Sequence, residues 1–177
     1  DDLPPEVLKL PRATINETTD APTIILLGPD PKESLGVLYL RLRHVAEHRT
    51  SKLIELTPTT TGLTRNAWRS VRVAPGATDD AVAALQSDEI AAQLAAGPVV
   101  IVAGRSNLAE SAASAAGTLR AVFEHVAAVQ SDVKVLPVLR RGNVAGALRV
   151  GLRPQGGENA EAILRDASYG QIDVLVL

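Results

Sequence analysis

The apolar residues of this chain fall into two patterns that alternate along its length. Short unbroken runs are one: Thr23-Ile24-Ile25-Leu26-Leu27, Lys52-Leu53-Ile54-Glu55-Leu56-Thr57, Val99-Val100-Ile101-Val102-Ala103 and Val133-Lys134-Val135-Leu136-Pro137. A run of this kind predicts a strand covered on both faces, as in a parallel sheet. Ile172-Asp173-Val174-Leu175-Val176-Leu177 reads as a fifth strand. Between the runs the period is helical. Leu35, Leu38, Leu42, Val45 and Ala46 fall on one helix face, and Leu119, Val122, Phe123 and Val126 on another.

The punctuation agrees. Gly28-Pro29-Asp30-Pro31 stops the first run, with Asp30 as N-cap, Pro31 in the first turn and Glu33 completing a capping box. Residues 79–96 read as one helix, broken by Gly97-Pro98. Asn107 and Glu110 form a second capping box, opening a helix that runs to about Ala128. Val144 to Val150 reads as a short helix and Glu158 to Ser168 as a longer one. Residues 1–22, with four prolines and no period, read as a connector outside the core with room for one short extended piece. Residues 23–177 then form a single α/β domain, a Rossmann-like doubly wound, mostly parallel sheet with helices on both faces. Such sheets bind ligands at the carboxyl ends of the strands, near the switch in strand order.

Composition narrows the chemistry. Lys plus Arg is 18 against 20 for Asp plus Glu, a net charge of −2, so no positive field is available to hold a nucleic acid. With no Cys, thiolate metal sites, iron–sulfur clusters and disulfides within the chain are excluded. One Trp, two Tyr and one Phe are too few for a base-stacking platform. No apolar run approaches the ~20 residues of a membrane span. The missing Met and the abrupt end at Leu177 suggest a piece of a longer chain.

Several motifs invite chemistry. Gly28-Pro29-Asp30-Pro31-Lys32-Glu33-Ser34 has the order of a phosphate loop, but Pro29 and Pro31 each remove an N–H that a phosphate would need, leaving an ordinary capped turn. His44-Val45-Ala46-Glu47-His48 spells an inverted zinc-protease signature, yet both histidines lie away from the leucine stripe, on a solvated face. His125 sits late in a helix without an obvious nucleophile. Arg140-Arg141-Gly142-Asn143, and separately Arg65, Arg69 and Arg72 around Trp68, are basic surfaces suited to an anion or to a carboxylate across an interface, with solvated loop charge as the plainer reading.

Three features together resemble a known family: Ile24 to Pro31 before a helix, Thr57-Pro58-Thr59 after a strand, and Pro75-Gly76-Ala77-Thr78-Asp79-Asp80 before another helix. They are similar to the molybdopterin oxidoreductase family. Leu38 to Arg43, Glu55 to Pro58 with Gly62 to Arg65, and above all Val135 to Leu148 resemble its branch in the large iron–sulfur subunits of bacterial NADH-quinone oxidoreductase (respiratory complex I). The resemblance implies a scaffold domain of the peripheral arm, without catalytic or metal-binding residues. It implies iron–sulfur clusters elsewhere in the parent subunit, and as partners that subunit's other domains and other peripheral-arm subunits. The location implied is the cytoplasmic side of the bacterial inner membrane, through the parent complex and without direct membrane insertion. Thr57-Pro58-Thr59 replaces the Asp-Pro-Arg of the family, so the carboxylate that would pair with a guanine edge is gone, and Asp30 stands where Asn is usual. Gly28, Asp30, Thr57 and Pro58 are then positions of a vestigial cleft, with no cofactor-binding role expected. The alternatives are a nucleotide-cofactor domain of a molybdopterin enzyme such as a formate dehydrogenase, a metallohydrolase using His44 and His48, and a small-ligand binding module.

Overall fold

A computed structural model describes residues 7, 9–48, 50–107, 110–139, 146, 147, 150, 151 and 160–174. The chain divides into two compact units, Asp1–Arg140 and Arg141–Leu177. In the first, the elements in chain order are α1 (Ile15–Asp20), β1 (Thr23–Leu27), α2 (Pro31–Ser34), α3 (Gly36–Glu47), β2 (Lys52–Thr57), β3 (Arg69–Arg72), α4 (Thr78–Ala83), α5 (Asp88–Ala95), β4 (Val99–Ala103), α6 (Ala112–Ala127) and β5 (Val133–Pro137). All five strands are parallel, in the order β3-β2-β1-β4-β5. This is the doubly wound, Rossmann-like sheet the sequence predicts, with its order reversing between β1 and β4.

Strand alternation divides the interior. Ile24, Leu26, Leu53 and Val102 pack with Leu38, Leu42, Val45 and Ala46 of α3 on one face. Ile25, Leu27, Ile54, Leu56, Val99 and Ile101 pack on the other with Ala81, Leu85, Ile90, Leu94, Leu119, Val122 and Val126, from α4 to α6. Each large side chain buried this way stabilises the fold by about 1.5–3 kcal/mol, which is why unbroken apolar runs mark central parallel strands.

The described residues just before β1 pack against the sheet. Thr14 caps α1 in a full capping box with Glu17, and Arg12 bridges to Val135 in parallel, covering the open edge of β5. Ala13, Thr18 and Ala21 are buried. Glu17 then reaches Lys134 of β5 at 2.7 Å. That hydrogen bond, followed by those from Thr14, lowers the Glu17 carboxyl from an ordinary 4.5 to about 2. Glu17 in turn raises Lys134 above its ordinary value.

Three expectations are corrected. The stretch 79–96 is two helices, since α4 ends at Ala83 and α5 starts at Asp88 under its own cap, Ser87. The long helix α6 is capped by Ser111, not Asn107: the Asn107 side chain accepts the Glu110 N–H at 3.0 Å, but the Glu110 carboxylate takes the Ser106 N–H at 2.7 Å and organises the preceding loop. The fifth strand of the sheet is Arg69–Arg72, whereas 172–174 are not in a strand and 175–177 lie outside the described residues. The edge strand Arg-Ser-Val-Arg has no apolar run to announce it, and it follows β2 without an intervening helix. The loop between them inserts Leu63 into the α3-side core instead.

In the second unit, α7 (Ala160–Ser168) ends in a turn closed by Gly170 at φ +69°. The Gly170 N–H donates to the Ala167 carbonyl and the Gln171 N–H to the Asp166 carbonyl. The helix expected over 144–150 lies largely outside the described residues.

Candidate functional site

The carboxyl ends of β1 and β4 flank the reversal in strand order, where this fold forms its ligand crevice. Here two glycines meet. Gly28, at φ +114°, holds a backbone conformation that side chains rarely adopt, and a Cβ on it would overlap the carbonyl of Gly104. A Cβ on Gly104 would in turn stand 2.6 Å from the Val138 carbonyl oxygen and 3.2 Å from the Pro29 ring. The loops after β1, β4 and β5 therefore touch main chain to main chain at the switch. Their N–H groups extend the sheet: Gly104 donates to Leu27, Val138 to Ala103 and Gly28 to Leu56.

The polar residues of the expected cleft have internal partners. One oxygen of Asp30 caps α2 by accepting the Lys32 N–H at 2.9 Å, and the other accepts the Gly62 N–H at 2.8 Å. Its cap thus runs through Lys32 rather than a box with Glu33, and the loops after β1 and β2 are tied together. The buried Thr57 hydroxyl donates to the Thr59 carbonyl at 2.9 Å and accepts from Arg72 at 2.8 Å. Arg72 also donates to the Thr59 carbonyl at 2.6 Å. Pro58, half-buried, begins this loop.

A buried acidic side chain nearby is one the motif reading misses. Glu55, in the middle of β2, is fully buried. Its carboxylate accepts from the hydroxyls of Thr61, Thr64 (2.8 Å) and Ser70 (2.5 Å), and Arg72 lies 3.8 Å away. A buried carboxyl group is tolerated when its oxygens are hydrogen-bonded in this way. The signal was available: a Glu inside an apolar run, followed by a threonine-rich loop.

The remaining motifs separate. His44 and His48 are exposed at the end of α3, their ring centroids 4.2 Å apart, with the His48 Nδ1 at 2.8 Å from the His44 carbonyl oxygen. Among the described residues, no group of three or more His, Cys, Asp or Glu is placed to hold a metal, and no helix is long and apolar enough to cross a membrane. His125 is half-buried in the last turn of α6. Arg140 to Asn143 lie outside the described residues. The expected trio of arginines around Trp68 is split by β3. Arg72 belongs to the Glu55 cage at its carboxyl end, while Arg65 and Arg69 stay with Trp68 at its amino end, beside a groove of about 460 Å³.

Comparison with protein-family models and with curated proteins finds no match to this chain.

Proposed function

We propose that this chain is a non-catalytic scaffold domain of the large iron–sulfur subunit of a bacterial NADH-quinone oxidoreductase. It supports NADH-to-quinone electron transfer that other parts of the complex carry out. One observation carries the non-catalytic half of this reading: the contact of Gly28 with Gly104 at the switch, where a nucleotide-binding sheet of this order keeps a crevice. Asp30 and Thr57, the polar groups beside it, already hold their own loops together. The family half rests on the resemblance of residues 24–31, 55–58 with 62–65, and 135–148.

In this reading the iron–sulfur clusters belong to Cys-bearing parts of the parent subunit, since this sequence supplies no thiolate. The partners are that subunit's other domains and the neighbouring peripheral-arm subunits, which would hold the chain at the cytoplasmic face of the inner membrane. Its contribution is mechanical: a sheet packed on both faces offers its neighbours a surface of fixed shape.

The test is to tag the full-length parent protein and purify it from membranes in mild detergent. NADH-quinone oxidoreductase activity and reduced iron–sulfur signals should copurify with it. Native mass spectrometry of the 177-residue chain with added GTP or molybdopterin guanine dinucleotide should show the bare chain. A retained nucleotide, or a parent that purifies without NADH oxidation, would overturn the reading.

A further inference from the structure

The groove beside Trp68 lies at the opposite end of the sheet from the glycine contact and the Glu55 cage. Chain course builds it. Helix α3 ends at Glu47, the chain enters β2 at Lys52, and the loop after β2 returns through Arg65, Asn66 and Trp68 before β3. The Trp68 N–H donates to the Leu53 carbonyl at 2.8 Å, so the loop is pinned to β2 where the groove begins. A volume of about 460 Å³ is within the range of specific binding clefts.

Its charges are unevenly matched. Arg69 pairs with Glu89, and Glu47 with Arg43. Lys52 and Arg65 are exposed and have no carboxylate partner among the described residues. Lys52 Nζ stands 4.4 Å from the centroid of the Trp68 ring and Arg69 Cζ 4.6 Å, so the indole holds cationic groups at the groove.

A matching occupant must bring negative charge for Lys52 and Arg65, and a neighbouring domain brings it as Asp or Glu side chains. We infer that this groove docks an acidic polypeptide segment from outside these residues, its carboxylates facing Lys52 and Arg65. The inference rests on the bracing role proposed above and gives that role a surface and a partner chemistry. Charge complementarity at such a contact sets register as well as attraction.

Zero-length carbodiimide coupling, which joins a lysine amine directly to a carboxylate, tests it on the tagged full-length parent in its native assembly. Mass spectrometry should find Lys52 joined to an Asp or Glu outside residues 1–177, at a higher yield than the exposed Lys32 at the other end of the sheet. Arg65→Glu should lower that yield about tenfold, and Arg65→Lys should largely preserve it. Coupling of Lys52 only to Glu47 in its own groove would overturn the inference. So would a yield no higher than that of Lys32, or one indifferent to Arg65→Glu. Copurifying NADH oxidation reports separately on the parent assembly, so loss of the docking contact and loss of the complex are told apart.

Discussion

Gly28 and Gly104 meet main chain to main chain across the reversal of strand order, and neither has space for a Cβ. The contact ties the ends of β1 and β4 together at the switch in strand order.

Gly28→Ala should therefore be severe. The new Cβ is strained at φ +114° and overlaps a carbonyl at the main-chain contact between two loops, a combined loss of about 2–5 kcal/mol. Gly117→Ala is the contrasting change. Gly117 is exposed in α6 with open space around its Cβ position, and alanine should gain about 0.5–1 kcal/mol there. Urea midpoints of the two variants should move in opposite directions.

Glu55→Ala removes the acceptor shared by Thr61, Thr64 and Ser70. Leaving these donors and Arg72 around a cavity should cost about 3–5 kcal/mol, and Glu55→Gln, which keeps the volume and one carbonyl, should cost less. Hydrogen exchange locates the effect: the amides of Thr61 and Leu63, bonded to Thr64 and Thr61 hydroxyls, should lose protection before those of β1.

Thr57→Asp restores the carboxylate that the family resemblance expects. The introduced carboxylate would still face Arg72, but it would have no hydroxyl to give the Thr59 carbonyl, so stability should fall by about 1–3 kcal/mol. Calorimetric titration with GTP should show no binding, because the Gly28–Gly104 contact is unchanged. Measurable affinity would return the cleft to consideration.

The Glu17–Lys134 bond makes a pH-dependent tie between α1 and β5. Glu17 is lowered to about 2 when folded, against an ordinary 4.5. Its contribution is therefore complete above about 4.5 and fades as pH falls towards 2. Lys134 is raised from 10.5, so its contribution is complete below that value and is lost as pH climbs through the raised one. Carbon-detected NMR should place the Glu17 midpoint near 2. Lys134→Gln should move it upward, though short of the ordinary value, because the Thr14 hydrogen bonds remain.

The sequence by itself determined the class of the fold and four of its strands, β1, β2, β4 and β5. A strand covered by helices on both faces must be apolar at nearly every position, and that requirement is written into each run regardless of what it packs against. The start of α2 was legible for a similar reason, since Asp30 and Pro31 act within their own turn.

Tertiary structure alone decided the rest. Edge strand β3 carries one apolar residue among its four and becomes a strand only by pairing with β2. The break between α4 and α5 sits where Leu85 is drawn into the core. Residues before β1 look like a connector until Arg12 meets Val135 and Glu17 meets Lys134, partners more than a hundred positions away. The candidate sites follow the same rule. Gly28 and Gly104, Glu55 and Ser70, and Lys52 and Arg65 acquire meaning only as pairs, and local spacing carries no record of which distant groups the folded sheet brings together.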